Sequence, residues 1–249
     1  MDLGRFTTTV LDLGERMLKC GAEIYRVEDT VTRICKAYGA ERVDIFAVTS
    51  FISLTVHQSP NESFTQSRMI KNYKTNLEYL NNLNDFSRKI CTEKPDPEKL
   101  GAMLESIPKN TYPQFVKVLG YALCSVAFSC YAGGNVAEAA LSALVGILLA
   151  LCSFLFKDIK INPVFRVFCS ALFCGTLASF LHKILPGISV DKVIIGNIMI
   201  MVPGLAAANS VRDMINGDVI SGLVRMAESV FIAIAIAVGF ALAMVLFGL

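Results

Sequence analysis

The sequence predicts a multi-span α-helical membrane protein, with about five transmembrane helices preceded by an N-terminal α+β domain. Three observations predict it. The 249 residues are 54% hydrophobic with a mean hydropathy of +0.55, well above the apolar share of soluble domains. The charges are unevenly placed: residues 1–113 hold 15 Lys/Arg and 15 Asp/Glu, whereas residues 114–249 hold 8 and 6. Finally, the charge-poor part contains five apolar segments near the roughly 20 residues needed to cross ~30 Å of hydrocarbon.

The charge shift marks a domain boundary, with residues 1–112 forming the first domain and 113–249 the membrane domain. The Pro-bracketed stretch Pro108–Pro113 serves as linker. The first thirty residues carry charges throughout and lack an apolar core, so no secretory signal is expected and the first domain is placed in the cytosol. A net charge of +2 without a basic cluster gives no support for nucleic acid as a partner. The eight cysteines form no CxxC and no Cys/His ligand spacing. They read as reduced packing residues, so no metal is expected.

The spans are expected at about 115–133, 136–156, 164–185, 193–209 and 222–247. Gly133-Gly134-Asn135 joins the first two as a tight hairpin, and 157–163 separates the second and third. Pro186-Gly187 ends the third, and residues 212–218 separate the last two. With the N-terminus inside, one side collects Lys109, Lys117, Lys157, Lys160, Arg166 and Arg212, with Arg225 close by; the other collects Lys183 and Lys192. That bias predicts a multi-pass plasma-membrane protein in the lipid bilayer, N-terminus cytosolic and C-terminus external. Small-residue stripes, Ser142/Gly146/Ala150 and Ala235/Gly239/Ala243, allow close helix approach. They suit internal packing or a homo-oligomer interface.

The fourth span carries the functional signal. It is short and broken at Pro203-Gly204, where proline removes a donor and clashes with the preceding turn. Non-helical backbone at membrane depth is tolerated only against protein or a water-filled cavity, and such a break points to a transporter binding site. A plain proline kink is the bland alternative. Asn197 precedes the break; Asn209, Arg212 and Asp213 follow it, with Asn209 and Asp213 at i,i+4. In the fifth span Arg225, Glu228 and Ser229 share one helix face. Intramembrane charges are costly and face a partner or an aqueous path. Arg225 and Glu228 either pair with each other or line a substrate route, the arginine meeting a carboxylate and the acid exchanging a proton. The substrate-binding candidates are therefore Asn197, Pro203, Gly204, Asn209, Arg212 and Arg225, and the proton-coupling candidates Asp213 and Glu228. Glu138, opening the second span, reads as an exposed charge at a helix N-terminus.

In the first domain, residues 3–20 and 27–38 read as amphipathic helices, 43–49 and 52–57 as half-buried strands, and 63–69 as a weaker third strand. Helices return at about 74–91 and 97–106. The cluster Glu23, Tyr25, Arg26, Glu28 and Asp29 suits a helix start and lacks a nucleophile beside it. His57 and His182 lie in different halves. No catalytic residue is assigned, the chain is not expected to be an enzyme, and no phosphate-binding glycine loop suggests a cofactor.

Residues 21–39, the Gly133-Gly134 hairpin with its following helix, and residues 202–225 together resemble the threonine/serine exporter family. The resemblance implies a cytosolic domain, sometimes likened to hydrolases, ahead of five spans. Longer members fuse a second multi-span region. This chain ends at Leu249 without one, so it is similar to the longer subunit of the split form, which works with a separately encoded, shorter membrane subunit. The family implies export of threonine and serine and, in the split form, of dicarboxylates such as succinate. The expected function is thus a subunit of a secondary exporter of small carboxylates, proton-coupled because no ATP-binding motif is present. A membrane-anchored hydrolase acting through the first domain and a non-transporting scaffold are the alternatives.

Overall fold

The computed structural model describes residues 2–71, 73–109, 112–155 and 162–248. Part of the expected linker (residues 110 and 111), the loop cations Lys157 and Lys160, and the terminal Leu249 lie outside the described residues. The chain divides into two compact units: Met1–Thr111 with Leu205–Met226, and Tyr112–Gly204 with Ala227–Leu249.

In the first unit, α1 (Leu3–Lys19) opens on Asp2, whose side chain accepts from the Arg5 amide at 3.1 Å, satisfying one of the amides that every helix start leaves open. Its apolar stripe buries Phe6, Val10, Leu13 and Met17. Gly21, at φ +94°, stops the helix in a left-handed turn that a side chain would resist. Then come α2 (Ile24–Ala37), β1 (Arg42–Val48), β2 (Phe51–Ser59) and β3 (Glu62–Met69). The strands form an antiparallel sheet in the order β1-β2-β3, with Val48 facing Phe51 across the Thr49-Ser50 turn. Along β2, Ile52, Leu54 and Val56 are buried in alternation and join the α1 and α2 core. Each such side chain contributes about 1.5–3 kcal/mol. The third strand pairs with β2 from Phe51↔Met69 to Ser59↔Glu62, with a register shift between His57 and Ser59.

The helix α3 (Leu77–Glu93) begins where the Asn76 side chain accepts from the Tyr79 amide at 3.0 Å. Asp96-Pro97 opens a 3-10 turn over Pro97–Lys99 that leads into the short α4 (Leu100–Glu105). Arg16 ties these pieces together, donating to the Tyr79 hydroxyl at 3.2 Å and the Leu104 carbonyl at 3.1 Å and pairing with Glu105.

The apolar helices are α5 (Gln114–Tyr131), α6 (Val136–Leu155), α7 (Pro163–Ile184), α8 (Val190–Met201), α9 (Gly204–Ile215) and α10 (Val219–Phe247). Four of them, α5, α6, α7 and α10, are long and apolar enough to cross a membrane, and α8 with α9 makes a fifth if the broken pair is one span. The fourth expected span is therefore two helices, parted at Val202-Pro203. Pro203 cannot donate to the Met199 carbonyl, and the Gly204 amide turns to the Val202 carbonyl at 2.9 Å instead.

Within the second unit both small-residue stripes are consumed in packing. A Cβ on Gly146 would overlap the Ser125 hydroxyl of α5. One on Gly239 would sit 2.8 Å from the Ala171 Cβ and the Phe168 carbonyl of α7. These are the close backbone approaches that small residues permit.

Glu138 departs from expectation. It is 2% exposed rather than a free surface charge. Its carboxylate accepts from the Asn135 and Ser189 amides, both at 2.8 Å, and meets Lys192 at 3.3 Å, while the Asn135 side chain accepts from the Glu138 amide at 2.9 Å. This capping box closes the α6 start and reaches across to the start of α8.

Candidate functional site

The first unit gathers four of the expected site residues around one turn of backbone. The α9 helix places Asn209, Arg212 and Asp213 within four residues, and α10 returns after the Asn216-Gly217-Asp218 turn to bring Arg225 beside them. The hairpin closes tightly at Gly222, where a Cβ would lie 2.5 Å from Met214 and 2.7 Å from the Ser210 carbonyl.

Asp213 and Arg225 form an ion pair at 3.1 Å, their side chains 0% and 10% exposed. The other polar atoms reach the turn between α1 and α2. Asp213 Oδ1 accepts from the Ile24 amide at 3.2 Å, and Arg225 Nη2 donates to the Ala22 carbonyl at 3.1 Å. Asn209 Nδ2 donates to the Gly21 carbonyl at 3.1 Å, and Arg212 pairs with Glu23 at 2.6 Å. Asp213 Oδ2 receives no well-aligned hydrogen bond among the described residues, although it is the oxygen that faces Arg225. The pair is thus an electrostatic contact with one acceptor left open.

This arrangement explains why α2 starts at Ile24 and not three residues later. Glu23 supplies no side-chain cap. The first amide is satisfied instead by Asp213, 189 residues away, a distant cap that local sequence does not reveal.

The remaining candidates lie in the second unit. Asn197 is fully buried and engaged: its Oδ1 accepts from the Ser125 hydroxyl at 3.0 Å, and its Nδ2 donates to the Val193 carbonyl at 2.9 Å and lies 3.3 Å from the Ser142 hydroxyl. These bonds knit α5, α6 and α8 together, and their chemistry is that of helix packing. Pro203 is half-buried and Gly204 exposed, with nothing within 4 Å of a Cβ placed there. Glu228 is exposed, and Ser229 beside it is buried.

The N-terminal cluster is dispersed over separate partners. Glu23 holds Arg212, Asp29 pairs with Arg33 at 2.9 Å, and Glu28 accepts from the Ala47 amide of β1 at 2.9 Å. Burial pushes the Glu28 carboxyl above the usual range, with the nearby Asp218 adding to the rise and the Ala47 bond opposing it. Burial raises Asp218 as well. His57 is bound to Asp44 at 3.1 Å and His182 to the Ile188 carbonyl at 2.7 Å. Among the described residues, no group of three His, Cys, Asp or Glu side chains could hold a metal ion.

Apolar helices of membrane-crossing length, one broken pair and a buried acid–arginine pair between the two helices after the break describe a multi-pass membrane protein. The chain belongs to the ThrE family, described as "Putative threonine/serine exporter", whose model matches residues 8–247. It is 25% identical over 235 residues to a Klebsiella aerogenes protein named "Probable succinate transporter subunit YjjP", a match covering 94% of this chain and 90% of that protein. It is 23% identical over 245 residues to the protein of the same name in Escherichia coli K12, covering 98% and 95%. It is also 24% identical over 180 residues to "Pheromone-regulated membrane protein 10" of Saccharomyces cerevisiae, covering 70% of this chain and 46% of the yeast protein. No solved structure matches the chain.

Proposed function

We propose that this chain is a subunit of a proton-coupled secondary exporter of small carboxylates, either threonine/serine-type amino acids or dicarboxylates such as succinate. The observation that carries the reading is the buried ion pair between Asp213, in the helix that begins at the Pro203-Gly204 break, and Arg225 in the helix that follows it. Family membership over residues 8–247 supports export. The names of the bacterial relatives, matched over nearly their whole length, support the dicarboxylate option and a partner subunit.

The mechanism follows from competition for one guanidinium. Protonation of Asp213 at the open Oδ2 cancels the charge that holds Arg225. The guanidinium then takes a substrate carboxylate through a bidentate, charge-assisted contact, a geometry that lysine cannot reproduce. The bond to the Ala22 carbonyl keeps the group oriented meanwhile. Loss of the proton restores the Asp213–Arg225 pair and expels the carboxylate. Asn209 and Arg212 flank the pair and supply further polar contacts. Glu228, one turn along α10 from Arg225, is the second proton carrier in this reading, and the backbone freed at Pro203-Gly204 is the third polar element.

The chain is further assigned a cytosolic N-terminus, an external C-terminus and a shorter membrane subunit of the same family as partner. Counterflow of labelled threonine, serine and succinate in proteoliposomes, with and without that partner, tests the proposal. Flux of at least one of them with both subunits present supports it. Absence of flux for all three would overturn it.

A further inference from the structure

The helices α2 and α3 turn polar faces toward a common open cleft of about 710 Å³ in the first unit. From α2 come Arg26, Asp29 and Arg33, and from α3 come Asn84, Arg88 and Cys91. The spacings on both helices are those of single helical faces. Three guanidinium groups line the cleft against a single carboxylate, Asp29.

The existing ion pairs do not use this charge up. Arg33 is held by Asp29 at 2.9 Å and Arg88 by Asp85 at 2.8 Å, each within one turn of its own helix, and both arginines are 72% exposed. Exposed pairs of this kind are weak and exchange readily. Arg26 makes no hydrogen bond or ion pair among the described residues. An arginine fork matches the planar carboxylate and the phosphate group in bidentate fashion, and Asn84 adds a neutral donor to the same wall.

We propose that this cleft binds a small oxyanion, a metabolite bearing carboxylate or phosphate groups, at Arg26, Arg33 and Arg88. The site is independent of the transport reading, because it lies on helices that hold none of the transport candidates. It is nonetheless well placed to act on them. The helix that forms one wall is α2, whose first amide is capped by Asp213 and whose preceding Glu23 holds Arg212. A ligand that fixes α2 therefore acts on the helix that carries this junction.

Cys91 lines the cleft and is half-buried, so its alkylation rate, followed by peptide mass spectrometry on the full chain in detergent, reports occupancy locally. Inorganic phosphate and succinate serve as separate probes, against sodium chloride at matched ionic strength. The expected result is saturable, several-fold protection of Cys91 by at least one oxyanion at millimolar concentration. Protection should be lost in Arg26→Gln and in the double variant Arg26→Gln/Arg88→Gln, and whichever probe protects identifies the ligand chemistry. Among the described residues Arg26 has no partner to lose, so the single variant keeps the test valid if the double variant melts early. Equal alkylation rates under phosphate, succinate and chloride would overturn the proposal, as would protection that survives Arg26→Gln.

Discussion

Asp213 and Arg225 meet at 3.1 Å across the α9–α10 hairpin, and each also reaches backbone of the turn between α1 and α2: Asp213 the Ile24 amide, Arg225 the Ala22 carbonyl. One buried pair thus joins the helix after the Pro203-Gly204 break to the N-terminal α+β layer. Removing one partner of a buried pair strands the other charge, at a cost of about 3–5 kcal/mol.

Arg225→Lys keeps the charge but cannot hold the carboxylate and the Ala22 carbonyl with the same fork. Losing one charge-assisted hydrogen bond costs about 1.5–3 kcal/mol, equivalent to about a 10- to 150-fold loss in apparent substrate affinity. Concentration-dependent uptake into proteoliposomes measures it, with protein abundance as the control. Wild-type uptake would show that Arg225 serves the fold through its charge alone.

Asn197 tests the packing assignment. Asn197→Leu leaves the Ser125 hydroxyl without its acceptor in a fully buried position, which should cost about 1–3 kcal/mol and lower the melting temperature in detergent. Gly196→Ala should act alike, since its Cβ would lie 2.6 Å from the Ser125 carbonyl. An Asn197→Leu protein that melts normally and yet fails to transport would instead assign Asn197 to the substrate.

Glu28 gives a pH signature. Its carboxyl is raised in the folded state by burial and by Asp218, so the folded state favours the protonated form. The stability linked to that form is fully present below the unfolded value, about 4.3, and is lost as pH rises through the folded value. Glu28→Gln keeps an acceptor for the Ala47 amide and removes the buried charge. The variant should match wild type near pH 4 and melt at a higher temperature above pH 7. Parallel melting curves across that range would show that the burial cost is negligible.

Topology is tested by a reporter active only in the cytosol. Fused after the C-terminus it should be silent, and fused before Leu3 it should be active. A strong C-terminal signal would remove the odd number of spans.

Local order was legible because it is written in local pattern. The alternation Ile52/Leu54/Val56 marks β2, the Asp96-Pro97 step marks a helical start, and Pro203 marks the break. What the sequence concealed was satisfied from far away. The start of α2 depends on Asp213, and Glu138 is buried because Ser189 and Lys192 close over it. Asn209, Arg212, Asp213 and Arg225 were legible as a polar group near the break. Their partners, the backbone and side chain of Gly21–Ile24, were not, since periodicity says nothing of contacts 189 residues apart. For Arg225, sequence spacing left pairing with Glu228 open, while the structure sets it against Asp213.

If Asp213 exchanges a proton while Arg225 exchanges the carboxylate, net accumulation and exchange should come apart in Asp213→Asn. Both subunits are reconstituted, and labelled succinate, threonine and serine are followed first with an imposed proton gradient and then as counterflow without one. Asp213→Asn, unable to take the proton, should abolish gradient-driven accumulation while counterflow persists. Accumulation at the wild-type level by Asp213→Asn, in protein of normal abundance, would contradict it.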